Sequence, residues 1–103
     1  MHDTIRHVAS FLDAWEALCL AAGTTTGRRC LRAHEALHLP LALAEPVAAL
    51  ARTLVDLGYP QAMVGGPALG QALRRLRGLR DERGRFLSMS HARGAAIWYV
   101  TGP

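Results

Sequence analysis

The chain contains no lysine: all twelve of its basic residues are arginine. Aromatic residues are scarce as well, two each of Trp, Tyr and Phe, and there are only two cysteines, Cys19 and Cys30. Each shortage excludes something. A chain whose hydrophobic half is mostly Ala and Leu favours helices over sheets, because those side chains lose little rotamer freedom in a helix. No basic start followed by an apolar run and a small-residue cleavage site is present, so the expected setting is a reducing cytoplasm and the thiols are expected as small buried hydrophobes. A disulfide between the first two helices stays open. No apolar run approaches the roughly 20 residues of a membrane span, which excludes a membrane-embedded reading. The all-arginine choice suits phosphate and guanine edges, but a GC-rich gene writes Ala and Arg by default, so it carries little weight alone.

What is present points to one domain over residues 1–103, since a chain of this size buries roughly two-thirds of its unfolded surface without staples. Within it we read an N-terminal helical pair over 1–44 and a second unit over 45–103. The net charge of +4 is unevenly divided. Residues 1–66 hold five Arg against six Asp or Glu, whereas 67–103 hold seven Arg against Asp81 and Glu82. The positive charge belongs to the C-terminal third.

Ile5, Val8, Leu12, Trp15, Cys19 and Ala22 alternate spacings of three and four, which predicts a first helix over 3–22, with Asp3 as N-cap and Gly23 as stop. Phe11 and Leu18 widen its stripe, which fits either the domain's own core or a homodimer or partner surface through Phe11 and Trp15. A second helix is predicted from Gly27 to Leu39, before Pro40. Arg28, Arg29 and Arg32 in its first turns oppose the helix dipole, a placement that an anionic partner would offset.

That helix carries His34-Glu35-Ala36-Leu37-His38, a match to H-E-x-x-H, in which two imidazoles four residues apart could face a zinc ion with the glutamate as general base. The continuation Leu39-Pro40-Leu41-Ala42 lacks the glycine and third histidine that complete the longer form of the motif. A zinc metallopeptidase is therefore the remote alternative, and neither a metal nor a cofactor is expected.

Glu45-Pro46 opens a third helix with the apolar stripe Val47, Leu50, Ala51, Leu54 and Leu57, ended by Gly58-Tyr59-Pro60. Gln61 to Val64 is a candidate third strand. Pro67 to Gly78 predicts the fourth helix, with Leu69, Ala72, Leu73, Leu76 and Leu79 on one face and Gln71, Arg74, Arg75 and Arg77 on the other. Arg and Gln are the side chains that pair bidentately with guanine and adenine in the major groove. Arg80-Asp81-Glu82-Arg83-Gly84-Arg85 then turns into a hairpin of Phe86–Ser90 and Ala95–Thr101. A four-residue loop at 91–94 would pair Ser90 with Ala95, Met89 with Ala96 and Leu87 with Trp98, leaving Leu87, Trp98 and Val100 to close the core and Arg93 at the tip.

The fold class is thus mainly α with a C-terminal β-hairpin: four helices and two short antiparallel strands, three if 61–64 joins. Ala49-Leu50-Ala51-Arg52-Thr53-Leu54, then Leu69-Gly70-Gln71-Ala72-Leu73-Arg74-Arg75-Leu76 and a Gly-Ala-Ala-Ile-Trp-Tyr-Val strand, resemble a winged helix-turn-helix. The kin in kind are the C-terminal winged helices of phage and plasmid primase-helicases and related small replication or regulatory proteins. The chain departs from that pattern in its eight-residue loop at 59–66, long for the turn of the motif. The resemblance implies a small non-enzymatic protein that binds duplex DNA, with Gln71, Arg74, Arg75 and Arg77 at the groove and Arg80, Arg83, Arg85 and Arg93 at phosphates. Gly27 to Leu39 is the substitute contact helix, and a winged-helix module that binds a protein, or inhibits one, is the alternative.

Overall fold

The structure, a computed structural model, describes residues 2–26 and 30–102. Four helices, α1 (His2–Thr26), α2 (Ala33–Leu37), α3 (Ala44–Asp56) and α4 (Gly66–Leu76), precede an antiparallel hairpin of β1 (Phe86–Ala92) and β2 (Ala95–Thr101). The architecture is mainly α with a C-terminal hairpin and is compatible with a winged-helix-like fold. No helix among the described residues is long and apolar enough to cross a membrane.

One core draws on all four helices and the hairpin. The stripe of α1 supplies Val8, Phe11, Leu12, Trp15, Leu18, Cys19 and Ala22, and α3 adds Leu50 and Leu54. Leu69, Ala72, Leu73 and Leu76 come from α4, Leu87 and Trp98 from the hairpin. Phe11 and Trp15 are 1% and 0% exposed, so of the two readings of this stripe the domain's own core is the one the structure shows. Their apolar area is already consumed inside the domain. Both cysteines are free, Cys19 buried and Cys30 half-buried.

Five local expectations are corrected. First, α1 begins at His2 and runs through Gly23 to Thr26, so neither Asp3 nor Gly23 marks its ends. A helical glycine costs about 1 kcal/mol relative to alanine, too little to stop a long packed helix. Second, the helix expected over 27–39 shrinks to Ala33–Leu37, while residues 27–29, with Arg28 and Arg29, lie outside the described residues. Leu31 is instead the third strand position, an isolated antiparallel bridge to Trp98. Leu31 N–H donates to the Trp98 carbonyl at 3.1 Å and Trp98 N–H to the Leu31 carbonyl at 2.8 Å. Third, the strand expected at 61–64 is a short 3-10 turn, Ala62–Val64.

Fourth, α4 stops at Leu76, so Arg77 is off the helix and Leu79, expected on the packed face, is 43% exposed. Fifth, the hairpin turns on two residues, not four. Ala92 pairs with Ala95, Met89 with Trp98 and Leu87 with Val100, around Arg93-Gly94 at φ 53° and 77°. Positive φ at both central residues defines the type I′ turn, whose twist matches that of the strands it joins. The register moved by two positions, and a shift of two keeps every side chain on its face. Leu87 and Trp98 therefore still close the core, with Val100 half-buried.

Candidate nucleic-acid interface

The geometry of α4 follows from its ends. Gly65 precedes it in an extended conformation, Pro67 stands in the first turn, and no side chain caps the helix N-terminus. At the other end Arg77 swings to φ −57°, ψ 130° and bridges Leu87 in parallel, and Gly78, at φ 82°, donates its N–H to the Leu87 carbonyl at 3.1 Å. The exit of α4 is thus tied directly to the root of β1. A left-handed φ of this kind favours glycine, which has no Cβ to clash.

Four residues of the helix are exposed: Pro67, Gln71, Arg74 and Arg75. Two rows run along it. Gly66, Gly70 and Arg74, four apart, line a crevice of about 490 Å³ facing Arg32 of the α2 approach and Ala95 and Ala96 of β2. Ala68, Gln71 and Arg75 line a second crevice, of about 360 Å³, against Tyr59 and Gln61 in the turn from α3. The basic edge of α4 lies between the two.

The hairpin separates the remaining arginines. Arg93 is exposed at the tip, two residues before Ala95, which lines the Arg74 crevice. Arg80, Arg83 and Arg85 sit at the root, seven residues of strand away, which at strand rise is about 20 Å. The eight predicted contact residues fall on three segments: α4, the connection from α4 to β1, and the hairpin tip. Gln71 and Arg75 line one crevice and Arg74 the other, Arg93 is exposed at the hairpin tip, and Arg77, Arg80, Arg83 and Arg85 lie between the end of α4 and the start of β1.

At the root the charges are engaged locally. Arg80 lies 4.4 Å over the Phe86 ring and donates from Nη1 to the Gly84 carbonyl at 3.1 Å. Asp81, the one buried charged side chain among the described residues, accepts the amides of Arg83 and Arg85 on Oδ1 at 2.9 Å each. Its Oδ2 accepts Arg85 Nε and Nη2, both at 2.8 Å. Arg85 Nη1 reaches Asp13 on α1 at 2.8 Å, with Glu16 at 3.8 Å. Burial pushes the Asp81 carboxyl up, but the amide and guanidinium hydrogen bonds from Arg85 and Arg83 outweigh it and hold the group below its usual range. Arg85 is a strut between this loop and α1, a role that counting it as a free cation missed. An aspartate that accepts the amide two residues on is a recognisable turn signal, and Asp81 carried it.

In the H-E-x-x-H segment, His34 and His38 stack with ring centroids 4.3 Å apart, and His38 Nδ1 lies 2.9 Å from the His34 carbonyl. His38 is the C-cap, outside the helix proper. Among the described residues no group of three or more His, Cys, Asp or Glu side chains converges as a metal site would require. No protein-family model, curated protein or solved structure matches this chain.

Proposed function

We propose that the chain is a small non-enzymatic DNA-binding protein that lays the Gln71-Arg74-Arg75 edge of α4 into a groove of duplex DNA and sets the hairpin tip, Arg93, over the adjacent backbone. One observation carries this reading. The turn of the hairpin comes back beside the basic edge of α4, since Ala95 and Ala96 share a crevice with Arg74. A helix edge offering an amide and two guanidiniums next to a projecting cation has both halves of a DNA contact, base-edge donors and a backbone anchor. The reading narrows the sequence expectation: Arg85 is set aside as a strut, and Arg77, Arg80 and Arg83 are left as peripheral charge. Regulation of transcription and a role in replication are both processes such a protein could serve.

A shift assay on random duplex DNA at two salt concentrations tests it. Binding should weaken with a log-log slope of about −0.9 per phosphate neutralised. Absent or salt-insensitive binding would remove the proposal.

A further inference from the structure

We propose that the crevice between the α2 approach, the first turns of α4 and β2 is a binding site for a phosphoryl oxyanion. It measures about 490 Å³, within the usual range of ligand sites. Five of its eleven lining residues are Gly or Ala: Gly66 and Gly70 of α4, Ala33, and Ala95 and Ala96 of β2. A Cβ at Gly66 or Gly70 would meet nothing within 4 Å, so the space is created by missing side chains and is not filled by neighbours.

Arg32, from the approach to α2, and Arg74, from α4, both line the crevice. Arg32 Nε is shielded from solvent and has no hydrogen-bond partner. A buried guanidinium N–H without an acceptor leaves its charge uncompensated, and an oxyanion in the crevice beside the same guanidinium offsets that charge. The uncapped start of α4 lines the same space through Gly66 and Pro67; Pro67 has no N–H, so the Gly66 amide and the helix dipole are what it adds to the attraction for negative charge. Glu35 also lines the crevice, where its Oε1 accepts the Arg32 amide at 2.9 Å. Two guanidiniums and a helix N-terminus outweigh that one carboxylate.

Phosphate can reach this site from two sources, the backbone of a bound duplex or a free phosphorylated small molecule. The chemistry of the crevice is the same for both, and the site stands on its own residues whether or not the chain binds DNA.

Calorimetric titration of the whole chain with inorganic phosphate, with nitrate at equal ionic strength as control, tests the site. Saturable phosphate binding is expected, with nitrate showing none. Arg32→Gln and Gly70→Leu should each weaken phosphate at least tenfold, the first by removing a donor and the second by filling the space. Arg52→Gln, an exposed arginine of α3 outside the crevice lining, should leave it unchanged. Circular dichroism and a melting curve check that each variant is folded, and Gly70→Leu adds a better helix former at an open position. Phosphate binding no tighter than nitrate, or unaltered in both crevice variants, would overturn the site. Competition separates the sources: phosphate that displaces duplex assigns the site to the DNA backbone, and phosphate bound without displacing it assigns a free ligand. Loss of duplex binding alone, with phosphate retained, would sink the DNA reading and leave the site standing.

Discussion

Trp15 Nε1 donates a hydrogen bond to the Trp98 carbonyl at 3.1 Å, joining the middle of α1 to the last strand. The same carbonyl accepts the Leu31 amide at 3.1 Å, and the Cys19 thiol lies 3.9 Å from it. Trp15→Phe removes the indole donor and keeps most of the apolar volume, while the Leu31 amide continues to satisfy the acceptor. It should cost about 1 kcal/mol, and Trp15→Ala about 3–5 kcal/mol, by thermal or denaturant unfolding.

The Asp81–Arg85 strut predicts a pH dependence. A carboxyl held below its unfolded-state value stabilises the fold above that value, and the contribution is lost as pH falls through the folded-state pKa. Stability should therefore drop below about pH 4, the ordinary carboxylate range. Asp81→Asn should be less stable at neutral pH and flat across the acid window. Because both partners are largely out of water, removing the Arg85 guanidinium as Arg85→Gln should cost about 3–5 kcal/mol.

Tip and root arginines should differ in duplex binding. Arg93→Ala should weaken all sequences alike and lower the magnitude of the salt slope by about 1, and Arg75→Ala should change sequence preference. Arg80→Ala and Arg83→Ala, about 20 Å from the tip by strand rise, should do little to affinity. Equal losses at tip and root, measured by titration at several salt concentrations, would contradict the proposed footprint.

The two-residue turn gives a local test. Gly94 sits at φ 77°, so Gly94→Ala should destabilise by about 1 kcal/mol, whereas Arg93→Asn, at φ 53°, should be neutral or slightly stabilising. Comparing the two melting temperatures separates backbone strain from loss of the arginine.

Thiol reactivity should be divided. Burial, reinforced by Cys30 and the carboxylates of Glu16 and Glu35, pushes the Cys19 thiol up to about 12. Alkylation near pH 8 should modify the half-buried Cys30 first and reach Cys19 only as the protein unfolds, by mass spectrometry of the labelled peptides.

The parts of the fold set by local pattern were readable from the residues. The apolar stripes of α1, α3 and α4 repeat at helical spacing, and the alternation in Phe86–Thr101 placed Leu87 and Trp98 inward before any register was known. Register itself was misread because Arg-Gly takes the place that Asn-Gly usually marks in a type I′ turn. Leu31 was misread because one extended residue leaves no periodicity, and its conformation depends on backbone bonds to a strand far along the chain. The site was only half legible. Exposure of Gln71, Arg74 and Arg75 follows from the helix, but the engagement of Arg85 and the crevice between Arg32 and Arg74 arise from segments that meet only in the folded molecule.

The meeting at Trp98 also sets an order of events in synthesis. Helix α1 leaves the ribosome well before β2, so Trp15 and Leu31 wait for a partner that emerges more than sixty residues after Leu31. Contacts of such long sequence separation close late, because the intervening chain must be ordered before they repay its entropy. A nascent chain halted before β2 would leave Trp15 and Leu31 without the Trp98 backbone they bond to, and release of β2 would join the N-terminal half to the hairpin through that one residue.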